Sequence, residues 1–207
     1  CQLNNFYEEV HMLKRFTAYI VGYYGQNNTG DGALLYSARW ASHHLLYSQN
    51  NIVSSATNSK CQEFGDIKAI PKELFRGHQR LLHYKNALQS EKVIFGGGSV
   101  LHTESDIQFK RHLMTLASRK QSRCVGVGIG PFTSVGAEKA CAKFLSECGF
   151  IGLRDKQSYD IAKNLCPQAN VELTFDLAPT MLCSQKNKLV EIERSGIMFN
   201  FCQQAVN

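Results

Sequence analysis

The chain holds 207 residues, 43% of them hydrophobic, with 23 Lys and Arg against 17 Asp and Glu. That is enough apolar material for one α/β domain with a full core, or for one domain and the start of another, and a net charge of +6 spread along the chain does not mark a nucleic-acid surface. No apolar run approaches the roughly 20 residues of a membrane-spanning helix, and the polar opening Cys1–Asn5 followed by Glu8 and Glu9 is not that of a signal peptide, so no transmembrane segment, no secretion and a cytoplasmic location are expected.

Residues 1–16 place Phe6, Val10 and Leu13 at helical spacing and carry no recognisable chemistry. The apolar run Thr17–Val21 predicts a buried strand. It leads into G-Y-Y-G-Q-N-N-T-G-D-G-A-L-L over Gly22–Leu35, a small-residue turn, and then a helix bearing Leu34, Leu35, Ala38, Trp40, Ala41 and Leu45. Asn51–Ala56 reads as a second strand, Cys61–Ile70 as an irregular crossover ending at Pro71, and Lys72 to Gln89 as a helix. Lys92–Phe95 is a short buried strand running into Gly96-Gly97-Gly98-Ser99, followed by a helix over 106–120. Cys124–Pro131 leads to a helix over 137–148, Phe150–Leu153 to Arg154-Asp155 and a helix over 156–165, and Val171–Asp176 ends in Leu177-Ala178-Pro179.

Strands alternating with helices in this way predict βαβ units, hence a doubly wound, mostly parallel, Rossmann-like α/β sheet. The polar stretch 184–195 reads as a linker between a domain of residues 1–183 and a second one whose first strand is 196–207.

In open α/β sheets ligands bind beyond the carboxyl ends of the strands. Five strands here end in chemistry-bearing or small residues: Asn27, Gly30 and Asp31; Gly96–Ser99; Gly128, Gly130 and Pro131; Arg154 and Asp155; and Asp176. Each has a structural reading beside a functional one. Asp31 suits a helix cap as well as a contact to a substrate hydroxyl. Gly96–Gly98 allow either close packing or ligand approach, and three in a row with Ser99 favour approach. Gly126, Gly128 and Gly130 favour backbone packing. Arg154-Asp155, ahead of the helix bearing Ser158, forms a structural ion pair or a binding contact, and the structural reading of Asp176 is the stronger.

His102 and Glu104, just past the glycine triplet, form a candidate acid/base pair. Their H-x-E spelling matches the start of the zinc deaminase signature, but no P-C-x-x-C follows and no metal is expected. The spacing of Gly25 and Gly30 is that of a Walker loop, yet Asp31-Gly32 stands where Lys and Ser or Thr are required, and G-x-G-x-x-G is absent from the first turn. A carboxylate there suits hydroxyls better than phosphates.

The adjacent pair His43-His44 cannot share one helix face and reads as packing. Eight scattered cysteines, with neither C-x-x-C nor zinc spacing, read as reduced core thiols. The basic knots Lys110-Arg111 and Arg119–Arg123 read as solvated helix ends, since no aromatic residues interleave with them; no nucleic-acid partner is expected.

Taken in order, Gly22-Tyr23-Tyr24-Gly25 with Asn28-x-Gly30-Asp31-x-Ala33-Leu34-Leu35, Gly96-Gly97-Gly98 with Leu101, Gly128-Ile129-Gly130-Pro131, Arg154-Asp155-x-x-Ser158 and Asp176-x-Ala178 resemble the polysaccharide pyruvyl transferase family over residues 17–180. The resemblance implies two Rossmann-like domains across a cleft, as in GT-B glycosyltransferases. It also implies an enzyme moving a pyruvyl group from phosphoenolpyruvate, its donor substrate, to the hydroxyls of a sugar or polysaccharide acceptor, with no further cofactor.

On this reading Asp31 contacts the acceptor hydroxyl, Arg154 an anion, Gly96–Ser99 offer backbone approach and Asp176 supports; His102 and Glu104 stand where the family has another acidic or Gln-type residue. In the family, basic residues and a histidine of the second domain serve the donor, so this chain by itself is expected to be incomplete for catalysis. A homo-oligomer is compatible with the pattern. A nucleotide-sugar glycosyltransferase of the same architecture and a non-catalytic glycan-binding module stay open as alternatives.

Overall fold

A computed structural model describes residues 15–24, 29–48, 50–56, 67–70 and 75–184. Its centre is a seven-stranded sheet in the order β3-β2-β1-β4-β5-β6-β7, with every neighbouring pair parallel. The strands are β1 (Phe16–Val21), β2 (Asn51–Ala56), β3 (Ile67–Ile70), β4 (Ser90–Leu101), β5 (Arg123–Ile129), β6 (Phe150–Leu153) and β7 (Val171–Leu173). The helices are α1 (Thr29–His44), α2 (His78–Leu88), α3 (Glu104–Leu116), α4 (Val135–Glu147), α5 (Lys156–Leu165) and the short α6 (Met181–Ser184), with a 3-10 turn at Ala178–Thr180. This is the dinucleotide-fold order 3-2-1-4-5-6 extended by one strand, the doubly wound sheet expected from the alternating pattern.

The central strands are buried on both faces, which is why their sequences are continuously apolar rather than alternating. Ala18 and Ile20 of β1 and Ile94 of β4 pack under α1, with Leu34, Leu35, Ala38, Ala41 and Leu177. Tyr19, Val21, Val93 and Phe95 face the other side and join the core formed with Ile107, Met114, Phe144 and Ala162 of α3, α4 and α5. Capping fixes where three of these helices begin: Thr103, Ser134 and Asp155 accept from the backbone N–H groups of Asp106, Ala137 and Ser158. Arg111 of α3 grips Glu147 of α4 through two hydrogen bonds, of 3.0 and 2.5 Å, and holds that carboxyl below its ordinary range.

Three sequence expectations change. The segment read as an irregular crossover contains β3, whose Ile67–Ile70 pair with Val53–Ala56; four residues, one of them Lys, give too short a pattern to separate an edge strand from a loop. Strand β4 runs through its own glycines to Leu101 instead of stopping at Phe95, because Gly96, Gly98 and Ser99 continue the ladder with Val125, Val127 and Gly128. Lys110 is not at a solvated helix end: it lies inside α3, buried, paired with Asp106, and its ammonium is pushed below its ordinary range by burial.

Cys124, Cys141, Cys148 and Cys166 are buried free thiols, while Cys1, Cys61 and Cys202 lie outside the described residues. The helical reading of residues 1–14 and the linker and second-domain reading beyond Ser184 also fall outside them. Among the described residues no helix is long and apolar enough to cross a membrane.

On the face away from α1, the Tyr19 hydroxyl and His83 Nδ1 share a 2.6 Å hydrogen bond, and Phe109 meets the His83 ring edge-on at 5.4 Å. Burial lowers the His83 pKa to about 4. The neutral ring is therefore the folded form, and protonation favours the unfolded chain. Folding stability is fully present above the ordinary histidine value of about 6.5 and falls by up to about 3 kcal/mol as the pH drops to about 4. Urea titrations across that range should show this slope in the parent chain and a flatter one in His83→Gln.

Candidate functional site

The helix that follows β1 and the helix that follows β4 go to opposite faces: α1 packs with Ile20 and Ile94, α3 with Val21 and Phe95. The chain therefore parts at the carboxyl ends of β1 and β4, leaving the crevice in which open α/β sheets bind ligands.

The wall on the β1 side is built from Gly22, Tyr24, Gly96 and α1. Tyr24 is 2% exposed and donates its hydroxyl to the Gly96 carbonyl at 2.7 Å. A Cβ on Gly22 would stand 2.2 Å from the Tyr24 ring; one on Gly96 would meet the Tyr24 hydroxyl at 2.5 Å and the Ala38 Cβ at 2.6 Å. At Gly97 φ is +75° and a Cβ would strike Leu34 at 2.4 Å. Gly96 and Gly97 thus let α1 and Tyr24 settle onto β4, while Gly98, also at positive φ, has only a distant Leu34 contact. Ser99 continues the strand opposite Gly128.

Asp31 lies in the first turn of α1, half-buried, with Gly30 exposed beside it. Burial first, and the Asp31 charge second, push the Tyr24 hydroxyl far above its ordinary pKa, so Tyr24 remains a proton donor to Gly96 and Asp31 a near neighbour of that bond. Asn28 lies outside the described residues.

A second group gathers where β5, β6 and β7 end. The Arg154 guanidinium lies over Gly128, where a Cβ would come within 3.1 Å of Nε and 3.3 Å of a terminal nitrogen. Its Nε is 3.5 Å from Asp155 and a terminal nitrogen 3.3 Å from Asp176. Both carboxylates are anchored in turn: Asp155 accepts from the Ser158 N–H at 2.7 Å and Asp176 from the Ala178 N–H at 2.9 Å. The Ser158 hydroxyl, 2% exposed as a residue, accepts from the Ile129 N–H at 2.9 Å and ties α5 to the end of β5. Ion pairs this open to solvent contribute only about 0–1 kcal/mol each; what Asp155 and Asp176 supply is the orientation of the guanidinium. Gly130 follows, at φ +71° and ahead of a cis bond to Pro131.

His102 and Glu104 belong to neither group. His102 Nδ1 is 3.3 Å from the Pro131 carbonyl, and Thr133 donates to the His102 carbonyl. Glu104 opens α3, accepts from Gln108 at 2.9 Å and lies against Gly136 in the first turn of α4. Among the described residues neither bonds to the other. The adjacent histidines are partnered locally: His44 stacks on Trp40 at 4.9 Å, and His43 Nε2 lies 3.5 Å from the Asn51 amide.

One structural contributor lay outside the sequence reading of the site, and one glycine read as backbone packing is just that. Tyr24 was indistinguishable from Tyr23, since nothing in Gly-Tyr-Tyr-Gly says which ring turns inward. Gly126 sits at the register shift between Cys124 and Val127 and carries the turn after β7, with Leu177 N 2.9 Å from where a Cβ would stand.

The model of the polysaccharide pyruvyl transferase family matches residues 28–201, which takes in α1, every later strand, the Arg154 cluster and, of the wall on the β1 side, Asp31 and Gly96 but not Gly22 or Tyr24. The chain belongs to that family. Neither a curated protein nor a solved structure matches it. For a pyruvyl transferase family member, the residues that carried the resemblance divide between the β1–β4 crevice and the Arg154 cluster, on one edge of the sheet.

Replacing Asp155 by Ala should cost about 0.5–2 kcal/mol through loss of the cap. The Ser158 N–H bond, the largest cause, holds the Asp155 carboxyl below its ordinary range. Its contribution is therefore present above about pH 4 and lost as the pH falls through the lowered value. Denaturation at pH 7 should separate the two proteins, and acid should bring them together.

Proposed function

We propose that the chain carries the acceptor-side half of a transferase that joins the pyruvyl group of phosphoenolpyruvate to two hydroxyls of a sugar as a ketal. The observation that supports this most is Asp31, a carboxylate set in the first turn of α1 at the β1–β4 crevice, beside the Tyr24–Gly96 hydrogen bond and with no P-loop lysine next to it.

Ketal formation needs little redox or metal chemistry but careful proton handling. A proton is added to the methylene carbon of the enol, and the first sugar hydroxyl bonds to the adjacent carbon and loses its proton. The second hydroxyl then displaces phosphate and loses its own. Of the two hydroxyl protons, one balances the proton now on the methyl group and the other leaves with phosphate. A carboxylate such as Asp31 is the right base for the hydroxyl step. Arg154 suits the carboxylate or phosphate of the donor as a planar donor, oriented by Asp155 and Asp176 and set over the glycine at 128.

The full-length gene product should release phosphate from phosphoenolpyruvate when a glycan acceptor is present, read by a phosphate assay. Asp31→Asn should lower kcat by about 100-fold or more with the melting temperature unchanged; ordinary turnover in that variant removes Asp31 from the chemistry. Arg154→Ala should instead raise KM for phosphoenolpyruvate. A melting temperature raised by a uridine nucleotide but not by phosphoenolpyruvate would replace this reading with sugar transfer from a nucleotide donor.

A further inference from the structure

The two tyrosines that follow β1 part company. Tyr24 is 2% exposed and tied to the Gly96 carbonyl, whereas Tyr23 is 71% exposed. The backbone between them is pinned, because Gly22 lies against the Tyr24 ring and Tyr24 is locked between β4 and α1. Tyr23 is thus a large ring presented to solvent from a fixed main chain. Such a ring has only two side-chain torsions to order when something covers it, and it offers an apolar face with a polar tip.

Its place in the sheet selects its use. Phe175, 61% exposed, sits in the turn after β7 with its carbonyl over Gly126 of β5, and Phe75, 57% exposed, lies beyond β3; neither follows β1 or β4 directly. Tyr47, 81% exposed, lies between α1 and β2, at the opposite edge of the sheet. Among the described residues, Tyr23 is the exposed aromatic that directly follows β1, between the strand end that opens the crevice and the helix whose first turn holds Asp31.

A pyranose ring has the matching surface: one face of C–H groups, which the negative face of an aromatic ring attracts, and a rim of hydroxyls for a carboxylate. We propose that Tyr23 is the platform on which a pyranose ring of the acceptor stacks, holding its hydroxyls toward Asp31. The inference rests on the acceptor reading above and adds the residue that positions the ring.

The test is saturation-transfer NMR on the full-length gene product with methyl glucopyranoside, methyl galactopyranoside and methyl mannopyranoside. Transfer to the ring C–H protons of at least one pyranoside is expected. Its affinity should fall about tenfold in Tyr23→Ala and be kept in Tyr23→Phe, which retains the face and loses only the hydroxyl. The rise in melting temperature produced by phosphoenolpyruvate should be the same in all three proteins.

Unchanged pyranoside binding in Tyr23→Ala overturns the stacking role while leaving the acceptor reading standing. Equal loss in Tyr23→Phe overturns it in favour of a hydroxyl contact, and a parallel loss of the phosphoenolpyruvate response overturns it in favour of a structural role. No transfer to any pyranoside in the parent protein overturns the acceptor reading itself, and this inference with it.

Discussion

The close seating of α1 on β4 is the constraint on which the candidate site depends. Gly96 and Gly97 have no Cβ to hold the helix off, so Ala38 and Leu34 reach the strand backbone and Tyr24 slides between them to bond the Gly96 carbonyl. Those contacts fix where the first turn of α1 stands, and therefore where Asp31 stands. A helix one methyl group further out would leave the tyrosine hydroxyl without its partner, a buried polar group whose isolation costs about 1–3 kcal/mol. Packing and site geometry at this wall are one arrangement.

The Arg154 cluster uses a different economy. Its ion pairs are too exposed to matter much to stability, yet each carboxylate is immobilised by a backbone N–H: Asp155 by the start of α5, Asp176 by the turn after β7. The guanidinium is consequently held by two elements and by the glycine under it. Rigid support of this kind lets a cation meet a ligand with its geometry already set.

The fold was legible because its strongest signals are local. Continuous apolar runs and the helical patterns between them needed no tertiary information to recognise, although the caps Thr103 and Ser134 start two of the helices two residues earlier than the pattern suggests. What escaped depended on partners distant in sequence. β3 is a strand because β2 lies beside it, and the glycines after Phe95 remain in β4 because β5 continues the ladder. Lys110 is buried because α3 turns it, with Ile107 and Met114, toward the sheet near Cys124, while Asp106 one turn earlier pairs with it.

At the candidate site, residue types at strand ends marked the carboxyl edge of the sheet. They could not say that Glu104 leans on α4, that Tyr24 turns in while Tyr23 turns out, or that Arg154 lies between two carboxylates. Those facts belong to packing.

The sheet order also bears on how the chain acquires its shape during synthesis. β1 pairs on one side with β4, Tyr19 lying opposite Val93, so the βαβ unit formed by β1, α1 and β2 must wait for a segment distant in sequence. Its outer face waits longer still, since Leu177 completes the core beneath α1 and Ser37 donates to the Ala178 carbonyl at 3.3 Å. Ala18, Ile20 and Ile94 cover part of the underside of α1, and that core closes only once residues near 178 join it.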